Sequence, residues 1–127
     1  MNLEKYFTDT KGTGVFATAN GNGEVNTAIF SRPHMAEDGR MIFIMGDNKS
    51  HENLRTNPCA SFLFMEAGHG YQGKRFHLTK TAEEENDELV RRLCRRCKEA
   101  NDPDSMHKRY VVYFTIDKEL PLIGTGE

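Results

Sequence analysis

Gly46-Asp47-Asn48-Lys49-Ser50-His51-Glu52-Asn53-Leu54-Arg55-Thr56-Asn57-Pro58 is the stretch on which the fold turns. An apolar run over residues 41–45 leads into it and reads as a strand, which Gly46-Asp47-Asn48 breaks. Lys49–Thr56 then reads as a short helix that stops ahead of Pro58, because a proline pushes the preceding residue out of the α region. Lys49 and Ser50 fall in the first turn of that helix. Free N–H groups and the positive end of the helix dipole suit an anion there. A lysine charge and a hydroxyl donor are what a terminal phosphate requires. The same residues also fit a plainer reading, in which Asn48 caps the helix and Lys49 and Ser50 face solvent.

Working towards the N-terminus, residues 14–20 and 24–31 read as two strands joined at Gly21-Asn22-Gly23, where glycine and asparagine supply positive φ. Residues 3–10 suggest a short helix. Towards the C-terminus, residues 60–65 and 75–82 read as strands around a loop, 67–73, that holds three glycines. Residues 84–100 carry Leu89, Val90, Leu93, Cys97 and Ala100 on one stripe and predict the longest helix. Residues 109–116 form the last strand and 117–127 a tail. Short strands separated by regular turns, with helices between them, predict a mainly β (α+β) barrel or sandwich in a single domain spanning 1–127.

The formal charge of −2 excludes a strongly basic nucleic-acid surface. No apolar run approaches a membrane span, and the N-terminal residues lack a signal-peptide profile. Three cysteines, an odd number, in a chain of this size suggest a reducing compartment, with the cytoplasm as default.

Val25-Asn26-Thr27-Ala28 on the second strand, the apolar third strand and the Lys-Ser-x-x-Asn-Leu-x-x-Asn-Pro segment at 49–58 together resemble the pyridoxamine 5′-phosphate oxidase-like superfamily, in particular its small FMN-binding proteins. The resemblance runs from about residue 14 to residue 82. It implies a six-stranded antiparallel split β-barrel with flanking helices, binding FMN at the interface of a homodimer. It also implies roles. Lys49 and Ser50 would hold the phosphate, with Asn53 in support; Asn26, Thr27 and Ala28 would run beside the ring or ribityl chain. Ile44 and Met45 would offer backbone contacts, and the loop carrying His69, Tyr71, Gln72, Lys74 and Arg75 would pass near the flavin, which makes Gln72 a candidate donor. An NAD(P)H or redox-protein partner is implied, as is an oxidoreductase or electron-transfer activity; a non-catalytic flavin module, or a split barrel using F420 or haem, are the alternatives.

Two departures separate the chain from the vitamin B6 oxidase of that superfamily. Asn26 stands where the oxidase has an arginine, and the C-terminal segment that would grip the vitamin with arginines is missing, so that reaction is not expected. Cys94-Arg95-Arg96-Cys97 has the spacing of a redox dithiol or half of a zinc site, but no further ligands follow at metal spacing and Cys97 also fits the apolar stripe. His34, His51, His69, His77 and His107 show no ligand spacing and read as surface or loop residues. No metal site is expected, and no catalytic residue can be singled out.

Overall fold

All eight phenylalanines of the chain converge on one core. Phe7, Phe16, Phe43, Phe62, Phe64, Phe76 and Phe114 are buried, and Phe30 packs against them. The computed structural model describes residues 2–68, 70–93 and 108–124. Its element order is α1 (Leu3–Asp9), β1 (Gly12–Ala19), β2 (Val25–Phe30), β3 (His34–Met35), β4 (Met41–Gly46), α2 (Lys49–Thr56), β5 (Cys59–Glu66), β6 (Gly73–Glu84), α3 (Asp87–Leu93) and β7 (Arg109–Pro121).

The strands make one antiparallel sheet in the order β2-β1-β5-β6-β7-β4-β3. Alternation along each strand decides its two faces. Met41, Phe43 and Met45 of β4, and Tyr110, Val112 and Phe114 of β7, point inwards with the phenylalanines. Ile42, Ile44, Val111 and Tyr113 point the other way and form a smaller cluster with Leu89, Val90 and Leu93 of α3. The sheet curls until β2 and β4 approach each other across the core. They meet there through Phe30 of β2, whose ring lies 6.0 Å from that of Phe43 between centroids, with Phe16 of β1 alongside at 4.9 Å from Phe43. The result is a split barrel with α2 set against β1, β2 and β4.

The hairpin between β1 and β2 forms where the turn residues placed it. Asn20 Oδ1 accepts from the N–H groups of Asn22 and Glu24, and Gly23 takes φ +82°. The strand count differs from the six expected: β3, two residues long and paired with Met41 and Ile42, is too short to leave a periodic signal. Two boundaries also move. Residues 83 and 84 pair with Val112 and Val111, so β6 runs past the expected end and α3 starts at Asp87, with Asn86 Oδ1 accepting from Leu89 N. β7 continues to Pro121 because β6 offers it a partner as far as Lys74. The rest of the expected long helix, and the Cys94 and Cys97 pair, lie outside the described residues.

Candidate functional site

The segment that opened the sequence folds as its residues dictate. β4 ends at Gly46, and α2 spans Lys49–Thr56 with Asn48 as its N-cap, whose side chain accepts from His51 N at 3.0 Å. Glu52 N reaches the Asn48 carbonyl. The N–H groups of Lys49 and Ser50, ahead of these, have no acceptor within the helix, which is the geometry that draws anions. Lys49 keeps its side chain half exposed, 4.0 Å from the Glu52 carboxylate. Ser50 is buried, and its Oγ has no hydrogen-bond partner in the chain.

Positions 49, 52, 53 and 56 fall on one face of α2. Across from them stands the β1–β2 turn, and a cleft of about 330 Å³ opens between Asn20, Gly21 and Asn22 on one side and Lys49, Glu52, Asn53 and Thr56 on the other. Asn53 is buried, donates from Nδ2 to Thr18 Oγ1 at 3.0 Å, and leaves its Oδ1 without a partner. The structure thus brings Lys49 and Asn53 to one cleft, with Ser50 buried in the same first turn of α2 but not among the cleft's lining residues. A buried hydroxyl and a buried amide oxygen, both left unsatisfied, each carry a desolvation cost; the hydroxyl can donate to an anion, whereas the amide oxygen can only accept, from a hydroxyl or N–H.

The other expected residues sit as follows. Asn26 and Ala28 are half buried on the inward side of β2, in register with Thr18 and Phe16; Thr27 faces out. Met45 is buried in the core and Ile44 packs outward beneath α3, so both offer the site only their backbone. Gln72 is not brought to the others. It lies in the β5–β6 loop, where its carbonyl accepts from Glu66 N, at the end of β5 remote from α2. Eight residues of strand separate the two ends, roughly 23 Å at ~3.3 Å per residue.

One expectation is corrected. His51 is not a surface residue: it is fully buried, with its ring stacked on Tyr110 at 3.8 Å and an interplanar angle of 11°. Its Nε2 lies 3.0 and 3.2 Å from the two oxygens of Glu83. Burial pushes the Glu83 carboxyl up, but donation from Lys80 and His51 outweighs it and holds the group below the ordinary carboxylate range. Glu83 and Tyr110 left no signal in the sequence, because both reach α2 only through the folding of β6 and β7. Asn20, Gly21 and Asn22 are cleft residues on the same terms. Glu52 and Thr56 could have been found from the helical spacing that starts at Lys49. Among the described residues no group of three metal-ligating side chains occurs, and no helix is long and apolar enough to cross a membrane.

No protein-family model matches the chain, and no curated protein matches it. Solved structures do. An FMN-binding protein from Syntrophomonas wolfei subsp. wolfei superposes with a TM-score of 0.75 at 22% identity, over 96% of this chain and 84% of its own. An F420 reductase gives 0.70 at 10% identity, over 94% and 97%. A NimC/NimA family protein from Clostridium acetobutylicum gives 0.61 at 20% identity, over 88% and 78%. At these identities the likeness is one of fold, and the fold is the split barrel that the sequence resemblance implied.

Proposed function

We propose that this split barrel binds FMN and serves as a flavin-dependent oxidoreductase or electron-transfer protein, as a homodimer with the flavin at the subunit interface. The observation that carries the reading is the first turn of α2, which holds a lysine, two N–H groups without helix acceptors and the buried, unpartnered Ser50 hydroxyl. Lys49 and Ser50 hold the phosphate; Asn53, fixed by Thr18, supports it from the next turn. Asn26, Thr27 and Ala28 flank the ribityl chain and ring, and the backbone of Ile44 and Met45 borders the ring from β4. When bound, FMN supplies the transfer of hydride or electrons. The protein's share is position, exclusion of water and donors at fixed places.

Gln72 belongs to this site only if it comes from a second copy, since its own chain holds it at the far end of β5. The outward face of β1, β2 and β5 supports such a pairing. Val25 and Ile29 stand 73% and 72% exposed there, beside Val15 and Leu63 in adjacent strands. An apolar stripe of this kind, running from the edge strand β2 across β1 to β5, is costly to leave in water, and a two-fold axis lets one patch cover its own copy.

None of the residues lining the cleft is a histidine, cysteine or methionine that could serve as a haem axial ligand, which favours a flavin over haem there.

An absorbance spectrum of the purified protein tests the cofactor, oxidised FMN being yellow and haem showing a Soret band. Anaerobic titration with NADH and NADPH then separates an enzyme, whose flavin bleaches, from a module without turnover. Lys49→Ala is expected to weaken FMN binding by about 1.5–3 kcal/mol, the value of a charge-assisted phosphate contact. Unchanged affinity overturns the assignment.

A further inference from the structure

We propose that His51 is a positioning residue for the phosphate-binding turn, acting as one half of a two-sided polar clamp that sets the rotation of α2. The inference rests on the reading of Lys49 and Ser50 as phosphate ligands.

Residues 51 and 53 lie about 200° apart around a helix, so they leave α2 on opposite sides. Each makes a polar tie to a different strand. Asn53 Nδ2 donates to Thr18 Oγ1 of β1 at 3.0 Å. His51 Nε2 faces both oxygens of Glu83 in β6 at 3.0 and 3.2 Å. Both tying side chains are buried, His51 at 0% and Asn53 at 1% exposure, where hydrogen bonds are costly to break and are not exchanged for water.

The β6 side carries a second restraint. The imidazole lies flat on Tyr110 of β7, a residue itself buried and paired with Met45 of β4. Lys80 Nζ also donates to Glu83 Oε1, so a second contact restrains the acceptor that His51 meets. A stacked ring tolerates little rotation about the helix axis, and a bond to a fixed carboxylate tolerates little translation along it.

The consequence falls one and two residues upstream. Lys49 and Ser50 precede His51 in the same turn, so their Cα–Cβ directions are set by the roll of the helix. A roll of one residue, 100°, would break both ties and carry Lys49 out of the cleft. His51 touches no ligand in this scheme. It acts through the helix, as outer-shell partners orient the groups that do the binding.

The test compares FMN with riboflavin, which lacks the phosphate, by titration of the flavin-free protein and its variants. In the wild type the FMN-to-riboflavin affinity ratio measures the phosphate contribution. In His51→Leu that ratio is expected to fall about tenfold, the scale of one well-oriented hydrogen bond, while riboflavin affinity holds. His51→Gln, whose amide N–H can reach Glu83, is expected to restore most of it. A merely structural histidine would lower the melting temperature and both affinities in parallel, and that result overturns the inference. So does an unchanged ratio in folded His51→Leu. Should His51→Leu fail to fold, Glu83→Ala, which leaves His51 no acceptor in β6, takes its place: a reduced ratio supports the clamp, an unchanged one overturns it. Wild-type protein that binds both flavins equally overturns the phosphate reading, and the clamp with it; wild type that prefers FMN, beside a His51→Leu with the same preference, overturns the clamp alone.

Discussion

Phe43 shows what a single side chain carries in this core. Its ring lies within 6.0 Å of those of Phe16, Phe30, Phe62 and Phe114, mostly edge-on, so it touches β1, β2, β5 and β7 at once. Truncation to alanine leaves a cavity bordered by rings that cannot collapse without abandoning one another. Phe43→Ala is expected to cost about 3–5 kcal/mol in chemical denaturation. A loss below about 1 kcal/mol would mean that the β2–β4 approach is not a packed contact. At this scale the sequence spoke unevenly. Lys49 and Ser50 were legible as the first turn of a helix, because Asn48 before them is a capping residue. His51 was not, since nothing around it in sequence tells of a tyrosine 59 residues later on which it stacks. Gly73, at φ +154° and with a Cβ position occupied by the Phe64 carbonyl, was legible only as a loop glycine, although it begins a strand.

Between elements, the tie from α2 to β6 has a pH dependence. Glu83 is held below its ordinary range by Lys80 and His51 despite its burial, so its carboxylate is stabilised in the folded chain relative to the unfolded one. That contribution is in full effect above the ordinary carboxylate range and is lost as pH falls through the folded value. The expected outcome is a stability curve that declines on the acid side, with a shallower decline in Glu83→Gln. Curves of equal slope from pH 7 to pH 3 would show the ties to be energetically idle. Strand ends were the elements least readable beforehand. β6 and β7 outrun their sequence patterns because each supplies the other's hydrogen bonds past residue 82 and past residue 116. Charged residues such as Glu83, Glu84 and Lys118 give no alternation to follow there. α2 was legible to the residue, since Asn48 and Pro58 bracket it locally.

For the whole molecule the open question is the second copy. Ile29→Glu puts a charge on the exposed apolar face without touching the core, so the single chain is expected to fold normally. If the proposed dimer forms, sedimentation should show it in the wild type and a monomer in the variant, with flavin lost in proportion. A flavin-loaded monomer would contradict an interface site. Turns and alternation narrowed the fold to a barrel or sandwich and the family resemblance implied the split barrel, whereas the outward stripe was not readable: Val15, Val25, Ile29 and Leu63 come from three strands whose neighbours only the sheet order reveals.

The contact between β2 and β4 has one more consequence. In a barrel closed by hydrogen bonds all round, strand number and stagger dictate the radius. Here one join consists of Phe30 against Phe43, with Phe16 of β1 beside them and no ladder between β2 and β4. Aromatic rings slide past one another at the cost of dispersion, not of broken bonds, so the circumference is free of the arithmetic that binds a sealed cylinder. A planar molecule lodged along β2 and β4 would become the missing rung, and the girth of the barrel would then be set by its guest.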